Sequence, residues 1–283
     1  MRKLSLLFLF GFVLFGATES QANDFLRAFD SLHRSFSANY PMGKWKAIRW
    51  DSLYALLLTR VQAAATSNDS VAFYSVLMDY ADASRDGHVN IRHGWAGIRA
   101  EAMQRQIGGS YGFCLLKHDD GRYVVNLIES NSPAFEAGLR YGAEIVEING
   151  LPAKTVIESV RTSWAELVPA TAEARTINQC RLIGRAPVGT KMTLKFINRS
   201  ATEQMTAEII ATDDNYSTYN KTSQMPIYTP GNDVTWSMLP ENIGFIKVTS
   251  FYGDSVTYRK LYTDFQNAII QFNEAQANGL VLD

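Results

Sequence analysis

Ser132-Pro133-Ala134-Phe135-Glu136-Ala137-Gly138-Leu139-Arg140-Tyr141-Gly142, continued by Ile145, Val146, Ile148 and the pair Asn149-Gly150, is the stretch that decides how this chain folds. Ser132 supplies a hydroxyl for a helix N-cap, and Pro133 suits a first helical position where no N–H is needed. Gly138 tolerates the left-handed backbone that ends a helix. The spacing predicts a helix of about a turn and a half between two strands. Alternating apolar residues that run into Asn149-Gly150 predict a two-residue hairpin turn.

The run Ser-Pro-Ala-x-x-Ala-Gly-Leu-x-x-Gly, followed by Ile-x-x-Ile-Asn-Gly, resembles the PDZ domain family, with one departure: Ala143 stands where that family usually has Asp. The resemblance implies that the C-terminal end of a peptide is added as a strand to an exposed sheet edge, its carboxylate received by backbone N–H groups of a loop. The matching segment is Ser110-Tyr111-Gly112-Phe113, followed by the strand Cys114-Leu115-Leu116. Tyr111, Gly112, Phe113, Cys114 and Leu115 are therefore the candidate peptide-binding residues, for an apolar-ended C-terminus. Two readings of Phe113 and Leu115 stand side by side, since apolar strand residues serve a core as readily as a groove.

Among the 283 residues, 46% are hydrophobic and 12% aromatic, which is ample for about two packed domains. A formal net charge of -1 without a basic stripe gives no electrostatic footprint for nucleic acid. Four histidines and two cysteines are too scattered for a metal cluster, and no cofactor motif is present.

Arg2 and Lys3 precede a continuous apolar run from Leu4 to Phe15, and Ser20-Gln21-Ala22 has the small residues of a cleavage site. Residues 1–22 thus read as a signal peptide and place the mature chain, from about Asn23, outside the cytoplasm, in a periplasm or secreted. The run is too short for a stable membrane span. In that compartment Cys114 and Cys180 are either a disulfide or two buried thiols; spacing leaves both open. The Asn-x-Ser/Thr triplets at Asn68, Asn198, Asn215 and Asn220 matter only in a host that glycosylates them.

Residues 23–95 read as a helical domain. Three apolar stripes recur at helical spacing: Phe25, Phe29, Leu32 and Phe36 after Asp24; Leu53, Tyr54, Leu57, Leu58 and Val61 after Asp51; and Phe73, Tyr74, Leu77, Met78 and Ala81 after Asp69 or Ser70. They predict a small bundle that ends in Arg85-Asp86-Gly87-His88-Val89-Asn90-Ile91. Asp-Gly is turn chemistry that sets His88 at the start of a short extended run, as either a turn histidine or a site residue.

The PDZ-like domain is expected over 105–212. Thr155 to Val168 and Ala172 to Ile183 read as helices, either of which could wall the peptide groove, and Lys191 to Ile197 with Gln204 to Ala211 reads as a hairpin. Residues 213–241 are polar and read as a connection. From 242 onward a strand (Ile243-Gly244-Phe245-Ile246-Lys247-Val248), a helix from about Tyr258 to Ala277 and a second strand (Leu280-Val281-Leu282) read as a βαβ unit. The expected fold class is α+β and multidomain: a helical bundle, a PDZ-like β-sandwich or barrel, and the start of an α/β domain.

The order of these elements resembles the tail-specific, or C-terminal processing, serine peptidases, and within them the branch similar to the tricorn protease core. The Trp50-Asp51-Ser52-Leu53-Tyr54 helix, the Asp86-Gly87-His88 turn and the Ile243-Gly244-Phe245-Ile246 strand carry the likeness. It implies peptide-bond hydrolysis of polypeptide substrates held by their C-termini, with His88 as the candidate general base or, as elsewhere in the family, a lysine beside the downstream serine. It also implies a nucleophilic serine downstream of Asp283, so the 283-residue chain is expected to be inactive alone. The alternative is a stand-alone or catalytically dead secreted peptide-binding protein.

Overall fold

The computed structural model describes residues 24–91, 96–223, 233–250 and 255–283. The predicted signal peptide over 1–22 lies outside these, as do parts of the expected connection and Phe251. The protein mixes helix and sheet in two compact units, Met1–Thr222 and Ser223–Asp283.

The first unit begins with α1 (24–39), α2 (Trp50–Ser67) and α3 (Ser70–Asp82). Asp69 caps α3 by accepting the N–H groups of Val71 and Ala72, each at 3.0 Å. The three predicted stripes meet in an aromatic core: Phe25 stacks on Phe73 at 4.5 Å between centroids, and Trp50 on Tyr80 at 5.3 Å. A fourth helix, α4 (Ala96–Ile107), was not anticipated. Its stripe is thin: among its described side chains only Ala102 and Ile107 are buried, and these join Val71, Tyr74, Trp164 and Leu182 in a second core.

After α4 come β1 (Gly109–Ser110), β2 (Phe113–Lys117), β3 (Tyr123–Ile128), α5 (Pro133–Glu136), β4 (Glu144–Ile148) and β5 (Leu151–Pro152). The decisive stretch folds as its residues dictate. Ser132 Oγ accepts the Phe135 N–H at 3.3 Å to cap α5, and Gly138 follows at φ 91°. Asn149 and Gly150 both take positive φ, 51° and 76°, as a type I′ turn requires, and Ile148 pairs with Leu151 across it. Ala143 is fully buried, a place where a carboxylate would need a partner.

The remaining elements of this unit are α6 (Ala153–Ser159), α7 (Ala172–Leu182), β6 (Arg185–Ala186), β7 (Lys191–Ile197), β8 (Met205–Ile210), β9 (Thr212–Asp213) and α8 (Ser217–Lys221). The main sheet runs β2-β3-β4-β7-β8 with β5 on β4, and a small sheet runs β6-β1-β9. The helix expected over Thr155 to Val168 stops at Ser159, because Val160 turns to extended backbone at ψ 128°. Thr162 and Trp164 are instead buried: the Thr162 hydroxyl donates to Asp82 at 3.0 Å and the Trp164 indole N–H to Gln106 at 2.9 Å.

The stretch 213–241, expected as a connection, is structured at both ends. Asp214 accepts the Thr218 N–H at 2.9 Å to start α8, and residues 234–239 form a strand. Its polar composition hid this, because buried Thr218 is held by hydrogen bonds to Asp214 and Arg185 rather than by an apolar stripe.

The second unit contains β10 (Val234–Leu239), β11 (Ile243–Val248), α9 (Ser255–Glu274) and β12 (Gly279–Leu282). β11 lies between antiparallel β10 and parallel β12, so β11-α9-β12 is the expected βαβ unit. Its core is Val234, Ile246, Ala268 and Phe272. Gly244 is required there, since a Cβ would lie 2.6 Å from the Phe272 ring.

Candidate active site

Two places in the first unit hold the residues singled out in the sequence. At the first, the chain leaves α3 through buried Ser84 and turns at Arg85, which holds φ 48°. The left-handed residue of this turn is thus Arg85, not the glycine beside Asp86. Asp86 then closes an Asx turn, its Oδ1 accepting the His88 N–H at 3.0 Å, and Asp86 O accepts the Val89 N–H at 3.0 Å.

The His88 ring is fully exposed, with Nδ1 3.2 Å from Asp86 Oδ1. Asp86 is held in turn: Tyr40 donates its hydroxyl to Oδ2 at 2.8 Å, and Lys46 Nζ lies 3.8 Å away. The His88 N–H, the Tyr40 hydroxyl and Lys46 bring the Asp86 carboxyl down to about 2, although partial burial opposes them. Burial, aided by the Asp86 carboxylate, pushes the Tyr40 phenol up to about 12, so it stays a donor. An ionised carboxylate only accepts, so neutral His88 carries its proton on Nδ1 and presents the Nε2 lone pair to solvent. Such an arrangement can accept a proton at Nε2 while the carboxylate orients the ring.

Tyr40 and Lys46 were missed by sequence reasoning. Lys46 Nζ also donates to Tyr40 Oη at 3.1 Å and to the carbonyls of Ser84 and Arg85 at 3.0 and 2.9 Å, pinning the turn from below. Only a fold that returns the 40–46 loop to residues 84–86 reveals this.

The second place is the peptide groove expected at β2. β2 is an edge strand of the main sheet, pairing only with β3 among the described strands. The helix beside its other edge is α7: Cys114 Sγ lies 3.7 Å from Arg181 O, and the Tyr111 N–H donates to Gly184 O at 2.9 Å. Gly184 permits this approach, because a Cβ there would stand 2.0 Å from Phe113 O.

Tyr111, Phe113, Cys114 and Leu115 are all buried. Tyr111, Phe113 and Leu115 point into the main core, while Cys114 faces α7 and Thr222. The Gly112 N–H donates to Ser110 Oγ at 3.0 Å, and that hydroxyl is 2.9 Å from Thr218 Oγ1. Two of the donors expected to receive a carboxylate, those of Tyr111 and Gly112, are therefore engaged within the protein. Gly112, at φ 87°, packs on Ser132, whose Cβ would be 2.0 Å from an added Cβ.

A buried network stands behind this loop. Arg185 forms a two-pronged pair with Asp214, at 2.9 and 3.2 Å, and donates to Thr218 Oγ1 at 2.7 Å. Arg181 pairs with Glu166 at 2.6 and 2.7 Å. Cys114 and Cys180 are free thiols, each pushed up to about 11 by burial. Among the described residues no group of three or more His, Cys, Asp or Glu is placed to hold a metal ion, and no helix is long and apolar enough to cross a membrane.

No family model and no curated protein matches the chain. Among solved structures it is similar to the photosystem II D1 C-terminal processing protease, at 16% identity and a TM-score of 0.27 over 93% of this chain and 60% of that one. An HtrA-type protease with a decapeptide matches at 16% identity and a TM-score of 0.24, over 37% of this chain and 29% of that one. A putative S41 protease from Bacteroides fragilis NCTC 9343 matches at 19% identity and a TM-score of 0.20, over 63% and 40%. The chain thus spans 60% of the length of the first of these proteases and less of the other two.

Proposed function

We propose that this chain is the N-terminal portion of a secreted serine peptidase that hydrolyses peptide bonds. The observation that carries this reading is the hydrogen-bonded pair of His88 and Asp86 on an exposed turn, held from behind by Tyr40 and Lys46. A histidine so oriented takes a proton from a hydroxyl at Nε2 and returns it to the leaving amine. The serine would be supplied by a segment following residue 283, reached through the βαβ unit of the second unit.

In this reading the β2–α7 region is the PDZ-like recognition element for substrate C-termini, held shut in the present conformation. A peptide would enter as a strand on β2 once α7 and the Ser110 hydroxyl release Tyr111 and Gly112. The test is hydrolysis of an unfolded protein such as casein by the full-length gene product and by the 283-residue chain. Hydrolysis by the first alone supports the reading. Hydrolysis by the shorter chain, or by neither, counts against it.

A further inference from the structure

Residues 31–50 contain four lysines and arginines, Arg34, Lys44, Lys46 and Arg49, and no acidic residue, in a chain whose net charge is -1. Within this stretch the loop over 41–47 is closed by its own backbone. The Gly43 N–H donates to Tyr40 O at 3.2 Å, the Lys46 N–H to Met42 O at 2.9 Å and the Ile48 N–H to Gly43 O at 3.0 Å. Its base is set in the helical bundle: a Cβ on buried Gly43 would lie 2.9 Å from the Trp50 indole nitrogen, and Trp50 stacks on Tyr80. Lys46 is engaged with Tyr40 and with the carbonyls of Ser84 and Arg85.

The outer side of the loop has the opposite character. Trp45 is 79% exposed, more than any other large apolar side chain among the described residues, and Met42 is 45% exposed. Lys44 and Arg49 are exposed as well, and neither has an acidic partner among the described residues. Both line a cavity of about 590 Å³ whose wall includes Tyr40, Pro41, Ile48 and Trp50 and holds no carboxylate. Trp45 stands outside this cavity and outside the one that Lys46 and Arg49 share with the end of α3. A peptide is held in a groove or along a sheet edge. An indole that projects beside unopposed cations suits instead a surface with an apolar layer beneath anionic groups, where an amphipathic ring and basic side chains both find partners.

We propose that the 41–49 loop docks this protein peripherally on an anionic lipid bilayer, with Trp45 and Met42 entering the headgroup layer and Lys44 and Arg49 meeting lipid phosphates. The inference stands apart from the peptidase reading. The same loop brings Tyr40 and Lys46 to the turn that carries His88, so docking and that turn share one support.

Vesicle sedimentation of the chain from Asn23 tests it; this chain keeps every described residue and lacks the apolar run from Leu4 to Phe15, which would partition into lipid by itself. The probes are phosphatidylcholine vesicles with and without phosphatidylglycerol, and soluble polyglutamate. The expected result is binding to the anionic vesicles alone, weakened about tenfold or more by Trp45→Ala, by Lys44→Gln/Arg49→Gln and by added salt, with the melting temperature unchanged in both variants. Trp45→Phe, which keeps an apolar ring, and Lys44→Arg/Arg49→Lys, which keeps the charge, should retain most of the binding. Equal binding to both kinds of vesicle, binding to neither, or binding unchanged in Trp45→Ala or in the Gln double variant overturns the proposal. Capture of polyglutamate in place of vesicles, lost in the same variants, also overturns it and makes the partner an acidic polypeptide.

Discussion

Asp86 and His88 face each other across a single residue, with Oδ1 3.2 Å from Nδ1, while the second oxygen of Asp86 takes the Tyr40 hydroxyl at 2.8 Å. One carboxylate thereby fixes both the tautomer of the imidazole and the position of the turn. Asp86→Asn keeps the shape but allows an amide N–H to face Nδ1, which reverses the tautomer. In the full-length product kcat should fall by about 10²-fold or more, with a smaller fall for Tyr40→Phe, read from initial rates on a peptide substrate.

The same carboxylate makes acid stability a second readout. Asp86 is depressed to about 2 in the folded protein, below its ordinary carboxylate value. Its contribution is therefore present above about pH 4 and lost as pH falls through about 2. Allowing for solvent screening of this carboxylate, on the order of 1 kcal/mol is at stake. In urea titrations the stability gap between wild type and Asp86→Asn should be open at pH 6 and nearly closed at pH 2.

Behind the β2 loop, Arg185 is buried and its charge is met by Asp214. Asp214→Asn leaves that guanidinium without a counter-charge and should cost about 3–5 kcal/mol, measured by urea unfolding. Neutral behaviour of this variant would mean that water reaches Arg185.

Gly112→Ala should also destabilise, by more than 1 kcal/mol. It imposes left-handed backbone at φ 87° on a residue with a side chain and drives the Cβ into Ser132 at 2.0 Å. Gly150→Ala is the control. It has φ 76° but open space around it, so only the backbone penalty, about 1 kcal/mol, applies.

Cys114 and Cys180, buried and pushed up to about 11, should resist iodoacetamide at pH 8 in the folded protein and react on unfolding, as followed by intact mass.

Much of the fold is legible in the sequence where local chemistry and tertiary need agree. Ser132, Asn149 and Gly150 have one good use each, and the bundle stripes at Phe29, Tyr54 and Phe73 name their own core. Legibility fails where burial is polar or thin. α4 buries little, and the Thr162–Trp164 segment is held by hydrogen bonds to α3 and α4 rather than by periodicity. At the site, His88 can be read from the Asp86-Gly87 turn that holds it, though the pairing of Asp86 with its ring cannot. Tyr40 and Lys46 cannot, because only folding brings them to it across some 40 residues. The groove illustrates the reverse case. β2 and α7 lie side by side, yet whether the loop donors are free depends on Ser110, Thr218 and Gly184, whose roles no local pattern announces.

The central claim is that His88 is the general base of a peptidase, and the most direct test is the rate of casein hydrolysis by the full-length product with and without His88→Ala. A fall of about 10²–10⁴-fold in kcat, with the melting temperature unchanged, is the predicted result. An unchanged kcat in the folded variant would contradict the claim and leave Asp86-Gly87-His88 as a turn with no part in the chemistry.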